Sequence, residues 1–153
     1  MARHAFKKSL YNGVILPVLY GGVRAAAPFH AKLAATVSGR DNFRERWREA
    51  RSTMPERPVW FHVASVGEYE QARPLITALG EKHPDIPVAI SVTSPSGFEY
   101  INEKEDPSGP GNIHFIDYLP FDFASNARFC LAALDPRLLV FVKFDLWPNL
   151  VWE

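Results

Sequence analysis

The sequence predicts an α/β fold built on a Rossmann-like parallel sheet. Three observations carry that expectation. From Pro58 onward short apolar runs alternate with helical stretches; each run ends in a turn of small or polar residues; and 153 residues suffice for one domain with a real core but hardly for two. Alternating β and α units of this size pair as parallel strands joined by right-handed crossovers. The composition, 47% hydrophobic and 22% charged, is that of an ordinary globular chain, and most of the 13 prolines punctuate turns.

The first element is a leader. Net charge is zero, yet residues 1–40 hold Arg3, Lys7, Lys8, Arg24, Lys32 and Arg40 without one acid, whereas residues 41–153 hold 11 basic and 17 acidic side chains. A basic, acid-free segment around the apolar stretch Leu10 to Val23 reads as amphipathic or membrane-associated, lying on or dipping into an anionic surface. It is too short for a secure span, since a crossing helix needs about 20 apolar residues. A signal peptide is disfavoured because Pro17, Gly21 and Gly22 are followed by Arg24 rather than a small-residue cleavage site. A helix packed on the main domain is the other alternative, because apolar runs of this length are often core helices. Lys7 and Lys8 before the stretch and Arg24 after it favour an anchor at the cytoplasmic face of the membrane.

Asp41 to Arg57 interleaves Arg44, Arg46, Arg48, Arg51 and Arg57 with Glu45, Glu49 and Glu56, and so reads as a solvated helix laced by ion pairs. Val59 to Val63 is the first strand, followed by a helix from Glu70 to Leu79 that Gly80 ends. Val88 to Val92 is the second strand, with a turn Thr93 to Gly97 and a helix from Phe98 to about Lys104. Asp106 to Asn112 is a loop by composition. Ile113 to Ile116 is the third strand, and a helix runs from about Ala124 to Leu134. Leu138 to Val142 is the fourth strand, leading into Lys143 to Asn149. The single cysteine, Cys130, reads as a buried, inert thiol, and its isolation suits a reducing compartment.

In such a topology the polar turns emerge at one edge of the sheet, where ligands of α/β proteins bind. Glu68, Ser94 to Gly97, Asp122 and the segment Lys143 to Asn149 are therefore expected to line one cleft. It is rich in hydroxyls and carboxylates but lacks metal-ligand spacing. No phosphate-binding lysine loop and no G-x-G-x-x-G follows any strand, which argues against ATP or NAD as cofactor. The residues also admit plainer readings. Ser65-x-x-Glu68 fits a capping box, and the Ser94 to Gly97 turn either cradles an acceptor phosphate or is an ordinary turn whose serine caps the next helix. His62, inside the first strand, reads as a satisfied core residue, and Trp147 and Pro148 as packing elements at a helix start.

Five blocks in order carry a family resemblance: Ser65-Val66-Gly67-Glu68, Pro74-Leu75, Ser94-Pro95-Ser96-Gly97, Tyr118-Leu119-Pro120-x-Asp122 and Leu146-Trp147-Pro148-Asn149-Leu150. The chain resembles the amino-terminal half of bacterial 3-deoxy-D-manno-octulosonic acid (Kdo) transferases. The resemblance covers essentially the whole chain, including the basic apolar leader and the Phe43 to Trp47 segment. It implies the amino-terminal domain of a GT-B glycosyltransferase: a leader over residues 1–40 and a partial acceptor-binding domain over residues 41–153, the carboxyl-terminal donor-binding domain being absent. It further implies transfer of Kdo from CMP-Kdo to a lipid A precursor, with inversion, at the cytoplasmic face of the inner membrane. Glu68 matches the family's general base. No metal and no cofactor beyond the donor are implied, and no nucleic acid. Ser65, Gly67, Ser94, Ser96, Gly97, Asp122, Lys143, Asp145 and Asn149 are the expected acceptor-side residues. The family places two acids one residue apart before its Trp-Pro-Asn. Here Lys143 stands at the first of them and Asp145 at the second, so Lys143 either pairs with Asp145 or meets an anionic acceptor group. By itself such a fragment is expected to hold the acceptor cleft without turnover. The alternatives are a non-catalytic, membrane-associated binding module and a GT-B glycosyltransferase with another donor.

Overall fold

The computed structural model describes residues 2–105, 112–143 and 145–153, with side chains from Ala5 onward. The loop expected at Asp106 to Asn112 therefore lies, except for Asn112, outside the described residues. Strand β1 is Val59–Val63, β2 Val88–Val92, β3 Ile113–Tyr118 and β4 Leu138–Phe141. All pair in parallel, in the order β3-β2-β1-β4. This is the α/β arrangement expected for the amino-terminal domain of a GT-B glycosyltransferase.

Alternation along the strands divides the core into two layers. Val59, Phe61, Val63, Val88, Ile90 and Val92 face one side, where Tyr69, Ala72, Ile76 and Ile101 cover them. Trp60 and Ala89 face the other side and meet Trp47, Ala50, Ala127, Cys130 and Leu134. Trp47 and Trp60, both fully buried, meet edge to face at 5.2 Å. Burying such rings supplies about 2–3 kcal/mol each. β1 and β2 are buried along their whole length, as central strands of a parallel sheet must be when both faces are covered.

Eight α-helices surround the sheet among the described residues. The leader comprises α1 (Ala2–Leu10), a π-helical stretch Tyr11–Ile15, α2 (Leu16–Ala26), a 3₁₀ turn Ala27–Phe29 and α3 (Ala31–Ser38). The chain keeps right-handed helical angles through Leu10, Ile15 and Leu16, so residues 2–26 form one continuous rod. Pro17 has no N–H for the carbonyl four residues back, and the wider π turn sits where that bond is missing. Among the described residues no helix is long and apolar enough to cross a membrane.

Then come α4 (Phe43–Thr53), α5 (Val66–Lys82), α6 (Pro95–Lys104), α7 (Ala124–Leu134) and α8 (Pro148–Trp152). Several expectations are corrected. Helix α5 starts at Val66, because Ser65 caps it, and passes through buried Gly80, so that glycine is an interior packing position rather than a stop. Helix α6 starts at Pro95, whose preset φ and missing N–H suit a first helical turn. Helix α4 is not simply solvated: Trp47 and Ala50 are core residues, Arg46 grips buried Asp117 through two 2.9 Å bonds, and the guanidinium of Arg44 stacks 4.6 Å from Phe129. β3 also runs two residues past the expected Ile116, to Tyr118, and β4 ends at Phe141.

Candidate functional site

The turns after β1 and β2 are joined at the carboxyl edge of the sheet. Thr93 N–H donates to Val63 O and Ser94 N–H to Ala64 O, each at 3.1 Å, which continues the strand pairing past both strand ends. Both turns open into helices through serine caps: Ser65 Oγ accepts from Glu68 N–H at 3.5 Å, and Ser94 Oγ from Gly97 N–H at 3.1 Å. The Glu68 carboxylate, half-buried, turns back to accept Ala64 N–H at 2.5 Å through Oε2. This is the reciprocal logic of a capping box, displaced by one residue. A Cβ on Gly97 would lie 2.8 Å from Ser94 Oγ and 2.9 Å from a Val92 methyl, so the tight turn from β2 into α6 needs glycine there, whereas Ser65 of the neighbouring turn would be at an ordinary 3.6 Å. At Gly67 the equivalent space is open. Ser65 and Ser96 are exposed.

The turns after β3 and β4 are built by long-range contacts. Asp122 is buried and caps α8, accepting Asn149 N–H at 2.9 Å and Leu150 N–H at 3.2 Å. Its Oδ2 also takes the hydroxyl of Tyr11, at 2.9 Å. Burial lifts the Asp122 carboxyl above the usual range, and the donors from Asn149, Tyr11 and Leu150 only partly offset it. Asn149, fully buried, donates to Asp122 O and exchanges two amide bonds with Asn12, at 2.7 and 3.0 Å. The π-helical stretch of the leader thus delivers Tyr11 and Asn12 directly to the loops, and α-helix irregularities of this kind recur at functional places.

Asp145 lies between the two sets. Its Oδ2 meets His62 Nε2 at 3.1 Å and accepts Thr93 Oγ1–H at 3.0 Å. Burial pulls this carboxyl upward, but the hydrogen bonds from His62 and Thr93 help to outweigh it and hold it below the usual range, hence ionised. Lys143 is exposed in a left-handed conformation, φ 62°, and forms no ion pair with Asp145. Behind these groups Arg40, 6% exposed, donates to Leu119 O at 2.7 Å, Thr93 O at 2.9 Å and Thr36 O at 2.6 Å, and so ties the end of the leader to two of the turns. Among the described residues three leader cations are therefore engaged, Arg40 here, Lys8 with Glu153 at 2.7 Å and exposed Arg24 with the Tyr20 hydroxyl at 3.1 Å, while Lys7 and Lys32 are exposed.

The structure accordingly brings Ser65, Glu68, Ser94 and Gly97 together, places Asp145 beside Thr93, and joins Asp122 to Asn149 next to the leader. A groove of about 240 Å³ runs along the second set, lined on one side by Tyr11, Leu19 and Tyr20 and on the other by Asp122, Asp145 and Trp147. Among the described residues no group of three His, Cys, Asp or Glu side chains is placed to hold a metal ion. Sequence reasoning missed Tyr11, Asn12 and Thr93 as site-building residues and the partnership of His62 with Asp145. The available signal was the parallel register, which seats His62 opposite Ser91 on β2 and Phe141 on β4.

Comparison with known proteins agrees with this architecture. Residues 41–153 match the family model described as 3-deoxy-D-manno-octulosonic-acid transferase (kdotransferase). The chain is 29% identical over 102 residues to the 3-deoxy-D-manno-octulosonic acid transferase of Haemophilus influenzae, a match covering 67% of this chain and 23% of that protein. It is 34% identical over 95 residues to that of Bordetella pertussis, covering 61% and 22%, and 31% identical over 124 residues to that of Chlamydophila psittaci, covering 81% and 27%. The chain thus spans about a quarter of the length of these relatives. No solved structure matches it. A family match over the whole sheet, in a chain whose turns hold Glu68, the Ser94 cap and the Trp147-Pro148-Asn149 helix start at one edge, places this protein in the 3-deoxy-D-manno-octulosonic-acid transferase (kdotransferase) family.

Proposed function

We propose that this chain forms the acceptor side of a transferase that moves Kdo from CMP-Kdo to a lipid A precursor, with Glu68 as general base. The observation that carries the reading is the placement of Glu68: half-buried at the mouth of β1, one carboxylate oxygen on Ala64 N–H, the other available to an incoming group. A sugar hydroxyl is a poor nucleophile until a base takes its proton. As the hydroxyl oxygen bonds to the anomeric carbon, its proton passes to Glu68, and CMP departs from the opposite face with the electron pair of the breaking bond. One carboxylate serves such an inverting displacement, without a covalent sugar intermediate. Exposed Ser65, Ser96 and Lys143 are the groups free to meet a phosphorylated acceptor, and the open space at Gly67 leaves room for it. Asp122 and Asn149, whose polar atoms face each other and the leader, act by shaping the loop.

The leader supports a place at the membrane surface, on the cytoplasmic side where the nucleotide sugar is available. Phe6 and Val18 are 67% and 68% exposed, and Leu10, Val14, Ile15 and Leu19 are exposed on the same rod. A contiguous apolar stripe of that kind on a soluble surface marks an interaction site. The test is Glu68→Gln in the full-length protein. Glutamine keeps an acceptor for Ala64 N–H and so the turn, but cannot take a proton. Transfer from CMP-Kdo is expected to fall by at least ~100-fold with an unchanged unfolding temperature. Normal turnover would leave Glu68 with the capping role alone and end the assignment.

A further inference from the structure

The sheet face beneath α4 and α7 is apolar except for one buried polar row near the carboxyl ends of the strands. Asp117 on β3, Ser91 on β2 and His62 on β1 are register neighbours, and all three are buried. Asp117 is answered by Arg46. Ser91 and His62 are answered by each other and by two further residues: Trp60 Nε1–H donates to Ser91 Oγ at 2.8 Å, Ser91 Oγ lies 2.9 Å from His62 Nδ1, and His62 Nε2 lies 3.1 Å from Asp145 Oδ2. Phe141 and Trp147 flank the imidazole, edge to face, at 6.0 and 6.1 Å. Burying an imidazole and a hydroxyl costs free energy unless each polar atom is partnered, and aliphatic side chains would fill the same space without that cost. Such a row is therefore explained by what it holds in place.

The proton positions follow from the partners. An indole N–H only donates, so Ser91 Oγ accepts from Trp60 and its own O–H is free for His62 Nδ1. An ionised Asp145 only accepts, so a ring hydrogen belongs on Nε2. On the other side Nδ1 lies 2.9 Å from the Ser91 hydroxyl and 3.2 Å from the Ser91 carbonyl, and the hydroxyl, nearer and with its hydrogen free, is the group that meets Nδ1. Thr93 donates to the same Oδ2, from the turn that stands beside Glu68. The geometry points to His62 as a positioning residue: locked as the Nε2–H tautomer by Ser91 and Trp60, it fixes Asp145 Oδ2 so that Oδ1 accepts a hydrogen bond from a hydroxyl of the acceptor sugar. This rests on the reading of this edge as the acceptor side. It assigns Asp145 the binding of a neutral hydroxyl group, next to a base that must meet the reacting hydroxyl at a set distance, and it makes His62 and Ser91 a support that touches no substrate.

The test uses the full-length protein, with 15N-labelled histidine and transfer kinetics. The ring signal that disappears in His62→Gln is expected to show hydrogen on Nε2 and a bare Nδ1, and Ser91→Ala is expected to abolish that fixed pattern. His62→Leu, which removes the donor to Asp145, is expected to lose ~30-fold in kcat/KM, because small misplacements of a binding group cost that much. His62→Gln, whose amide N–H still reaches Asp145, is expected to stay within ~3-fold of the unaltered protein. Hydrogen on Nδ1 would overturn the proposal whatever the kinetics. So would equal activity of the folded Leu and Gln variants, because a role in packing alone does not distinguish a donor from a methyl group. If Glu68→Gln is inactive while His62→Leu turns over normally, the positioning role fails and the acceptor-side reading stands. If Glu68→Gln and Asp145→Asn both turn over normally, the reading itself fails.

Discussion

Glu68 and Asp145 stand at the same edge of the sheet and are held there by different means. Glu68 hangs from a backbone N–H four residues back, in a turn capped by Ser65. Asp145 is held by His62, 83 positions earlier in the chain, and by Thr93, 52 positions earlier. The first arrangement belongs to the strand-turn-helix unit that carries it. The second exists only because β4 pairs with β1 on the side away from β2, so that the turn after β4 falls across the row of His62 and Ser91. One carboxylate is thus placed by local backbone geometry and the other by the order of the strands.

The largest expected break in this comparison comes from the long-range half. Arg40→Met removes the donor for the carbonyls of Leu119, Thr93 and Thr36. Burial already lowers the Arg40 guanidinium to about 10, so part of its desolvation cost would be relieved. Carbonyls left buried without a donor cost ~1–3 kcal/mol each, and the balance is a loss of about 3 kcal/mol in urea denaturation. A loss under ~1 kcal/mol would mean that the leader and the turns hold together without it.

The local half is probed by Gly97→Ala, where the added methyl meets Ser94 Oγ and a Val92 methyl inside van der Waals contact. About 2 kcal/mol of stability is expected to go, since overpacked sites typically cost ~1–3 kcal/mol. Ser65→Ala is expected to cost about 1 kcal/mol, the ordinary value of a lost helix cap. If Ser65→Ala proved costlier than Arg40→Met, the division between local and long-range support would be reversed.

The finest distinction is between two carboxylates of the second half, read by 13C titration of the aspartate carboxyls. Asp145 is expected to titrate below the ordinary aspartate value and Asp122 above it. The signs for stability are opposite. A depressed folded value means that Asp145 contributes stability above the unfolded value, about 3.9, which is lost as pH falls through the folded value. A raised folded value means that Asp122 withdraws stability as pH rises from about 3.9 through its folded value. Equal midpoints would show that His62 and Thr93 do not favour the charged form of Asp145.

Much of the fold was legible in the residues. The spans of β1 and β2 and of α7 match the sequence reading, because alternating or continuous apolar runs bounded by turn residues are local signals. The helix starts after those strands were placed three or four residues late, because Ser65 and Ser94 act as caps while Pro95 and Gly67 resemble turn residues. The site was legible in outline: the turns do share one edge. Its division was not. Asp122 read as a group facing a ligand, whereas its carboxylate is occupied by Tyr11 and the start of α8; Asn149, which read either as an acceptor-side group or as one that orients the loop, spends its amide on Asn12 and Asp122. No periodicity in residues 1–40 announces that the leader would contribute side chains to a loop more than 100 positions away.

The amino-acid sequence by itself determined the strands, the helices between them, the parallel α/β class and the presentation of Glu68, because each depends on residues within about four positions of one another. Only the tertiary structure decided that His62 stands behind Asp145, that Arg40 joins the leader to the turns, and that Tyr11 and Asn12 complete the loop at Asp122 and Asn149. Those contacts follow from strand order, register and the docking of the leader rod, which are set by burying two faces of one sheet at once rather than by any short stretch of chain.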